Sequence, residues 1–102
     1  ITAQHVSQAA EAGDELARQV LDEAARALGR GIGSAISLMN PQRVVIGGGV
    51  AKAGQRYFET VRFAARATVP PGMRIDIAPA ALGDDAPLWG AVALAEDCLQ
   101  AP

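Results

Sequence analysis

Three consecutive glycines, Gly47, Gly48 and Gly49, follow the β-branched run Val44-Val45-Ile46 directly, and helix formers come after them. A backbone without side chains lets a ligand touch the main chain with no Cβ in the way, and it permits positive φ. N–H groups in such a turn can point at phosphate or ribose oxygens. A sharp turn serving no ligand is the alternative. The stretch is not a P-loop: Gly49 and Gly54 have the right spacing, but Gln55 and Arg56 stand where Lys and Ser or Thr are required.

Other residues able to do chemistry are few. Asp14 follows a glycine and precedes a helical pattern, so capping accounts for it. Asp84 and Asp85 precede the last helical pattern, where the helix dipole stabilises negative charge by about 0.3–1 kcal/mol. One histidine, His5, and one cysteine, Cys98, cannot build a disulfide or a zinc site within the chain. Cys98 lies in an apolar helical pattern and reads as core, and a lone cysteine fits a reducing cytoplasm. Lys52, Arg56, Arg62, Arg66 and Arg74 oppose only Glu59 within 52–74. That basic stretch is either a solvated helix face or a wall facing phosphate. The net charge of -2 and pI near 5.2 argue against a nucleic-acid binder. Neither a membrane span of about 18 uncharged apolar residues nor a signal peptide is visible.

The elements that position these residues follow from periodicity. Thr2 caps a short helix that Gly13 stops. Asp14 opens a helix to about Met39, with Leu16, Val20, Ala24, Leu28, Ile32, Ile36 and Met39 at helical spacing. Arg18, Asp22 and Arg26 stand four apart on another face and are placed to pair. Beyond Arg30 no charge appears on any face, which sends the last third of this helix into the interior. Gly29, Gly33 and Ser37 are also four apart, a spacing that admits a close neighbouring backbone. Gly29-x-Gly31-x-Gly33 lies within the helix and is no dinucleotide fingerprint.

Asn40-Pro41 ends the helix. Val44-Val45-Ile46 reads as a central, parallel strand buried on both faces. Gly54 to about Thr68 is an amphipathic helix with Tyr57, Phe58, Val61 and Ala65 inward. Pro70-Pro71-Gly72 is a turn, and Arg74 to Ala78 alternates as a half-exposed strand nearer an edge. Asp84 or Asp85 caps a final helix to about Leu99, with Pro87 in its first turn. The pattern is α/β, with long helices and a βαβα unit of parallel strands. Two strands are too few for an independently stable sheet, so the chain reads as part of a larger one. If compact, a chain of this length has a radius of gyration of about 13 Å.

Taken together, Ala10-Glu-Ala-Gly-Asp14, Leu28-Gly-x-Gly-Ile32, Met39-Asn-Pro-Gln-Arg-Val-Val-Ile-Gly-Gly-Gly49 and Ala81-Leu-Gly-Asp-Asp-Ala-Pro-Leu-Trp-Gly-Ala91 resemble the C-terminal third of the ROK family (repressors, open reading frames and sugar kinases). The resemblance implies a partial RNase-H-like, actin-like ATPase fold, with residues 1–102 as the C-terminal portion and the N-terminal lobe absent. It implies ATP with Mg²⁺ as cofactor, and Gly47-Gly48-Gly49 as the turn supporting adenosine. Gly90-Ala91 matches a small pair packing tightly near the domain junction. The implied reaction moves the γ-phosphoryl of MgATP to a hexose or N-acetylhexosamine hydroxyl, the sugar being held by the absent lobe. The same resemblance implies a homo-oligomer.

The family's phosphate loop, catalytic Asp and His-plus-triple-Cys zinc motif are not in this sequence. The chain alone is therefore expected to be inactive as a kinase, with no catalytic or metal-binding residue of its own. Two other readings stand beside the kinase lobe: the effector-sensing portion of a ROK repressor, and a non-catalytic interaction module completing its sheet against another chain.

Overall fold

The computed structural model describes residues 2–49 and 53–100, and the backbone but not the side chain of Asp84. The elements run α1 (Ala3–Glu11), α2 (Glu15–Met39), β1 (Val44–Ile46), α3 (Gln55–Thr68), β2 (Ile77–Pro79), a 3₁₀ turn (Gly83–Asp85) and α4 (Ala86–Gln100). No helix among the described residues is long and apolar enough to cross a membrane.

The helix ends form as local chemistry dictates. Thr2 and His5 make a reciprocal capping box: the Thr2 hydroxyl accepts from the His5 N–H at 3.3 Å, and His5 Nδ1 accepts from the Thr2 N–H at 3.2 Å. At the other end of α1, Gly13 takes a φ of 101°. Its N–H reaches the Ala10 carbonyl and the Asp14 N–H reaches that of Ala9, the paired bonds of a Schellman cap. Asp14 then caps α2 through Oδ1, which accepts from the Ala17 N–H at 3.0 Å. Asn40 closes α2 in a left-handed conformation. A small polar residue tolerates that conformation, and Pro41 forbids the helix from continuing.

The core lies between α2, α3 and the sheet. Ala25, Val61, Ala65 and Ile77 are its buried centre, with Leu28, Ile32, Val44, Ile46, Tyr57 and Ile75 packed around them. The buried stripe of α2 is Ala17, Ala25, Gly29, Gly33 and Ile36, made mostly of small residues. A Cβ on Gly29 would stand 2.5 Å from the Val61 carbonyl oxygen and 2.6 Å from the Ala64 Cβ. On Gly33 it would stand 2.7 Å from the Thr68 Cβ and 3.0 Å from the Ala65 oxygen. These two glycines let α3 approach at backbone contact, the close approach their spacing suggested. Ser37, third in that row, is exposed and turns its hydroxyl back onto the Gly33 carbonyl at 2.9 Å.

Several expectations are corrected. Leu16, Val20 and Met39 are exposed, while Leu28, Ile32 and Ile36 of the same row pack in the core beside the small-residue stripe. The fully buried residues in the charge-free end of α2 are Gly33 and Ile36, while Leu38 and Met39 are largely exposed. Asp22 pairs with Arg56 of α3 at 3.1 Å instead of with its own helix, and the Arg18 Nε donates to the Ala10 carbonyl. Both choices tie α2 to its neighbours.

The two strands are parallel, with Val44 opposite Ile77 and Ile46 opposite Pro79. β1 is not buried on both faces: Val44 and Ile46 turn toward α3, but Val45 points the other way and is 58% exposed. β2 begins at Ile77 rather than Arg74, since the ladder starts where the Val44 N–H meets the Asp76 carbonyl at 2.8 Å. Residues 74–76 have no strand beside them among the described residues. At the start of α4, the Asp85 side chain makes no hydrogen bond to the helix among the described residues, and capping by Asp84 lies outside them. α4 packs substantially only on the 3₁₀ turn, so Cys98 is exposed and not core. Gly90 and Ala91 are exposed too, and a Cβ on Gly90 would touch nothing within 4 Å. The Cα radius of gyration is accordingly 16.6 Å, above the compact expectation.

Candidate functional site

A parallel pair brings the carboxyl ends of both strands to one edge, and the glycine turn leaves β1 at that edge. The Ala80 N–H donates to the Ile46 carbonyl at 2.9 Å, holding the two exits side by side. A Cβ on Gly47 would sit 3.6 Å from the Ala80 Cβ, an ordinary contact. Gly48 has a φ of 75°, which a β-carbon disfavours. Gly49 is not in that region, and a Cβ there would meet nothing within 4 Å. All three are exposed. Only Gly48 thus needs to be glycine on account of the described fold. Gly47 and Gly49 leave main chain open at the place where open α/β sheets bind ligands. Val50, Ala51 and Lys52, which continue the turn, lie outside the described residues.

No acid joins the glycines to make a catalytic set among the described residues. Asp14 serves as a cap at the start of α2. His5 is engaged in its capping box. No group of three or more His, Cys, Asp or Glu side chains is gathered for a metal among the described residues.

Among the described residues the basic stretch forms no wall. Arg56 pairs with Asp22. Arg62 donates through Nε and Nη2 to the Ile77 carbonyl at 3.2 and 3.0 Å, and lies 5.7 Å from the Phe58 ring centre. It clamps α3 onto β2. Arg74 stands near Arg43 and Asp76 at the opposite, amino end of the strands, where Arg43 and Asp76 pair at 2.9 Å. Lys52 lies outside the described residues. Arg56 and Arg62 are drawn apart because one satisfies a carboxylate of α2 and the other a carbonyl of β2.

Sequence reasoning missed a groove where α1, α2 and α3 meet, lined by Ser7, Glu11, Arg18, Asp22, Arg56 and Tyr57 among others. Burial pushes the Tyr57 phenol above its ordinary value of 10.0. No single motif marks the groove, because three helices contribute to it; the i, i+4 spacing of Arg18 and Asp22 was its one linear signal.

The ROK family's sequence model matches residues 1–98. A glucokinase of Halalkalibacterium halodurans is 37% identical over 92 residues, covering 88% of this chain and 28% of that protein. The glucokinase of Thermotoga maritima is 30% identical over 97 residues, covering 93% and 31%. The Escherichia coli regulator NagC is 42% identical over 52 residues, covering 51% of this chain and 13% of its own. Among solved structures, the ROK family glucokinase of Streptomyces griseus, in complex with glucose and AMPPNP, superposes with a TM-score of 0.79 at 33% identity over 89% of this chain and 30% of that one. A Cytophaga hutchinsonii protein described as a sugar kinase gives 0.80 at 23% identity, covering 94% and 33%, and speaks to fold alone.

The chain is a helix-rich α/β portion of the actin-like ATPase fold. It belongs to the ROK family and spans roughly a third of the length of the curated kinases it matches.

Proposed function

We propose that residues 1–102 are the C-terminal, ATP-side portion of a ROK sugar kinase, with Gly47-Gly48-Gly49 supporting the adenosine of MgATP. The observation that carries this reading is the open glycine turn at the carboxyl edge of the parallel strands, where Gly47 and Gly49 answer no internal packing need. The glucokinase relatives and the Streptomyces griseus complex with glucose and AMPPNP support it. Main-chain N–H groups would be this chain's contribution: they orient the nucleotide and take no proton. The general base for the sugar hydroxyl, the metal-binding acid and the phosphate donors must come from the rest of the fold. The chain alone then transfers no phosphoryl group.

Titration with a fluorescent ATP analogue and Mg²⁺ tests this, comparing the native chain with Gly49→Val. Because position 49 is open and unstrained, the variant should fold with an unchanged unfolding midpoint and lose saturable binding. Equal binding by both proteins would remove the turn from the nucleotide site. Gly48→Val is a poorer probe, since its φ of 75° adds strain of its own.

The 42% identity to NagC over 52 residues favours a second reading, the effector-sensing portion of a ROK repressor. Absence of nucleotide binding by the folded native chain would rule out a self-sufficient ATP site and favour that reading.

A further inference from the structure

Residues 47–54 join β1 to α3, and Gly47, Gly48, Gly49 and Gly54 give that connection little shape of its own. Among the described residues, the hydrogen bonds and ion pairs that hold it lie at its two ends. At the β1 end the Ala80 N–H donates to the Ile46 carbonyl at 2.9 Å. At the α3 end the ordinary local devices are missing: Gly54 is the N-cap and supplies no side-chain cap, and no acid stands in the first turn. Arg56 stands there instead, a cation at the positive end of the helix dipole, where it is disfavoured. Helix stability does not account for it.

Arg56 reaches across to α2. Its Nη2 donates to Asp22 Oδ2 at 3.1 Å, a tie between residues 34 positions apart. Asp22 has Arg18 and Arg26 one helical turn away on either side, yet its carboxylate takes the arginine of α3. Arg18 is itself drawn to α1, where its Nε donates to the Ala10 carbonyl at 3.3 Å. Ala53 lines the same groove as Asp22, Arg56 and Tyr57, so the end of the connection lies within this junction. The Arg56 side chain is 68% exposed and that of Asp22 21%. So exposed a pair contributes little to global stability, because water and salt screen it. It does fix where the first turn of α3 stands, and with it where the glycine-rich connection must end.

We propose that the Asp22–Arg56 pair positions the glycine turn, anchoring the α3 end of the connection so that the main chain at Gly47–Gly49 keeps one arrangement. Asp22 and Arg56 are positioning residues that act through the turn and do not touch the nucleotide. Preorganisation of this kind raises affinity, because the turn is ordered before the ligand arrives. The consequence for affinity rests on the turn's being the nucleotide-binding one; the anchoring itself is read without nucleotide.

The amide NMR signals of Gly47, Gly48 and Gly49 in the nucleotide-free chain test the anchoring, with urea unfolding measured alongside. Asp22→Asn, Arg56→Gln and the double variant should displace those signals to the same extent, as members of one pair do, and leave the unfolding midpoint unchanged. Arg56→Lys, which keeps the charge, should restore most of the native positions. Titrated with the fluorescent ATP analogue and Mg²⁺, the same three variants should bind about three- to tenfold more weakly than the native chain. Glycine signals that stay in place would overturn the proposal, as would displaced signals with unchanged affinity. A lowered unfolding midpoint in all three would reduce the pair to a structural tie and overturn it too. Weaker binding by Arg56→Gln with unchanged or tighter binding by Asp22→Asn would put Arg56 on the nucleotide itself, against the proposal. Displaced signals in a native chain that binds no nucleotide would uphold the anchoring and count against the nucleotide reading.

Discussion

Gly29 and Gly33 in α2 answer to the approach of α3 and Gly31 does not, and substitution separates them. A Cβ at Gly29 meets the Val61 carbonyl oxygen at 2.5 Å, a main-chain atom that cannot move aside without shifting α3. At Gly31 it meets nothing within 4 Å. Gly29→Ala should therefore destabilise by about 1–3 kcal/mol, the usual cost of overpacking. Gly31→Ala should stabilise by about 0.5–1 kcal/mol, because alanine restricts the unfolded chain and favours helix. Urea denaturation of the two variants checks both signs. Equal effects would mean that α3 does not lie against Gly29.

At the scale of elements, α3 joins everything together: its small-residue face meets α2, Arg62 holds β2, Arg56 reaches Asp22, and Tyr57 closes the three-helix groove. Tyr57 makes that junction sensitive to alkali. Its folded pKa is raised by burial, so the neutral phenol is favoured in the folded state. Its contribution is fully present below the unfolded value near 10.0 and is lost as pH rises from there through the raised value. Thermal melts across that window should show a decline that Tyr57→Phe reduces. An identical decline in the variant would place the titration elsewhere.

Across the whole molecule, packing is one-sided. α2 and α3 cover one face of a two-stranded sheet, and α4 extends away to give principal dimensions of 56 × 38 × 17 Å. Small-angle scattering on the monomeric chain should give a radius of gyration near the Cα value of 16.6 Å. Collapse of α4 onto the bare sheet face would bring it toward about 13 Å, the value for a compact chain of this length. That result would mean the chain satisfies its own apolar surface.

Local interactions were legible in the linear order. Thr2, Gly13, Asp14 and Asn40 mark helix ends within one or two residues, because a cap bonds to backbone only a few positions away. The parallel βαβ unit and the open glycine turn were equally readable, since β-branched runs and side-chain-free segments act locally. Burial was not. Leu16, Val45 and Cys98 have core-like types and lie exposed, while Gly29 and Ala25 are buried. Hydrophobicity says which surface should leave water; only the neighbouring elements say which surface does. The sequence by itself determined the elements, their order and the family pattern. Tertiary structure decided that α3 meets the small-residue stripe and only the Leu28, Ile32 and Ile36 part of the bulky row, and that Arg56 and Arg62 turn to separate partners. The reason is physical: close helix approach and ion pairing depend on crossing geometry between residues more than thirty positions apart, which periodicity along one helix does not encode.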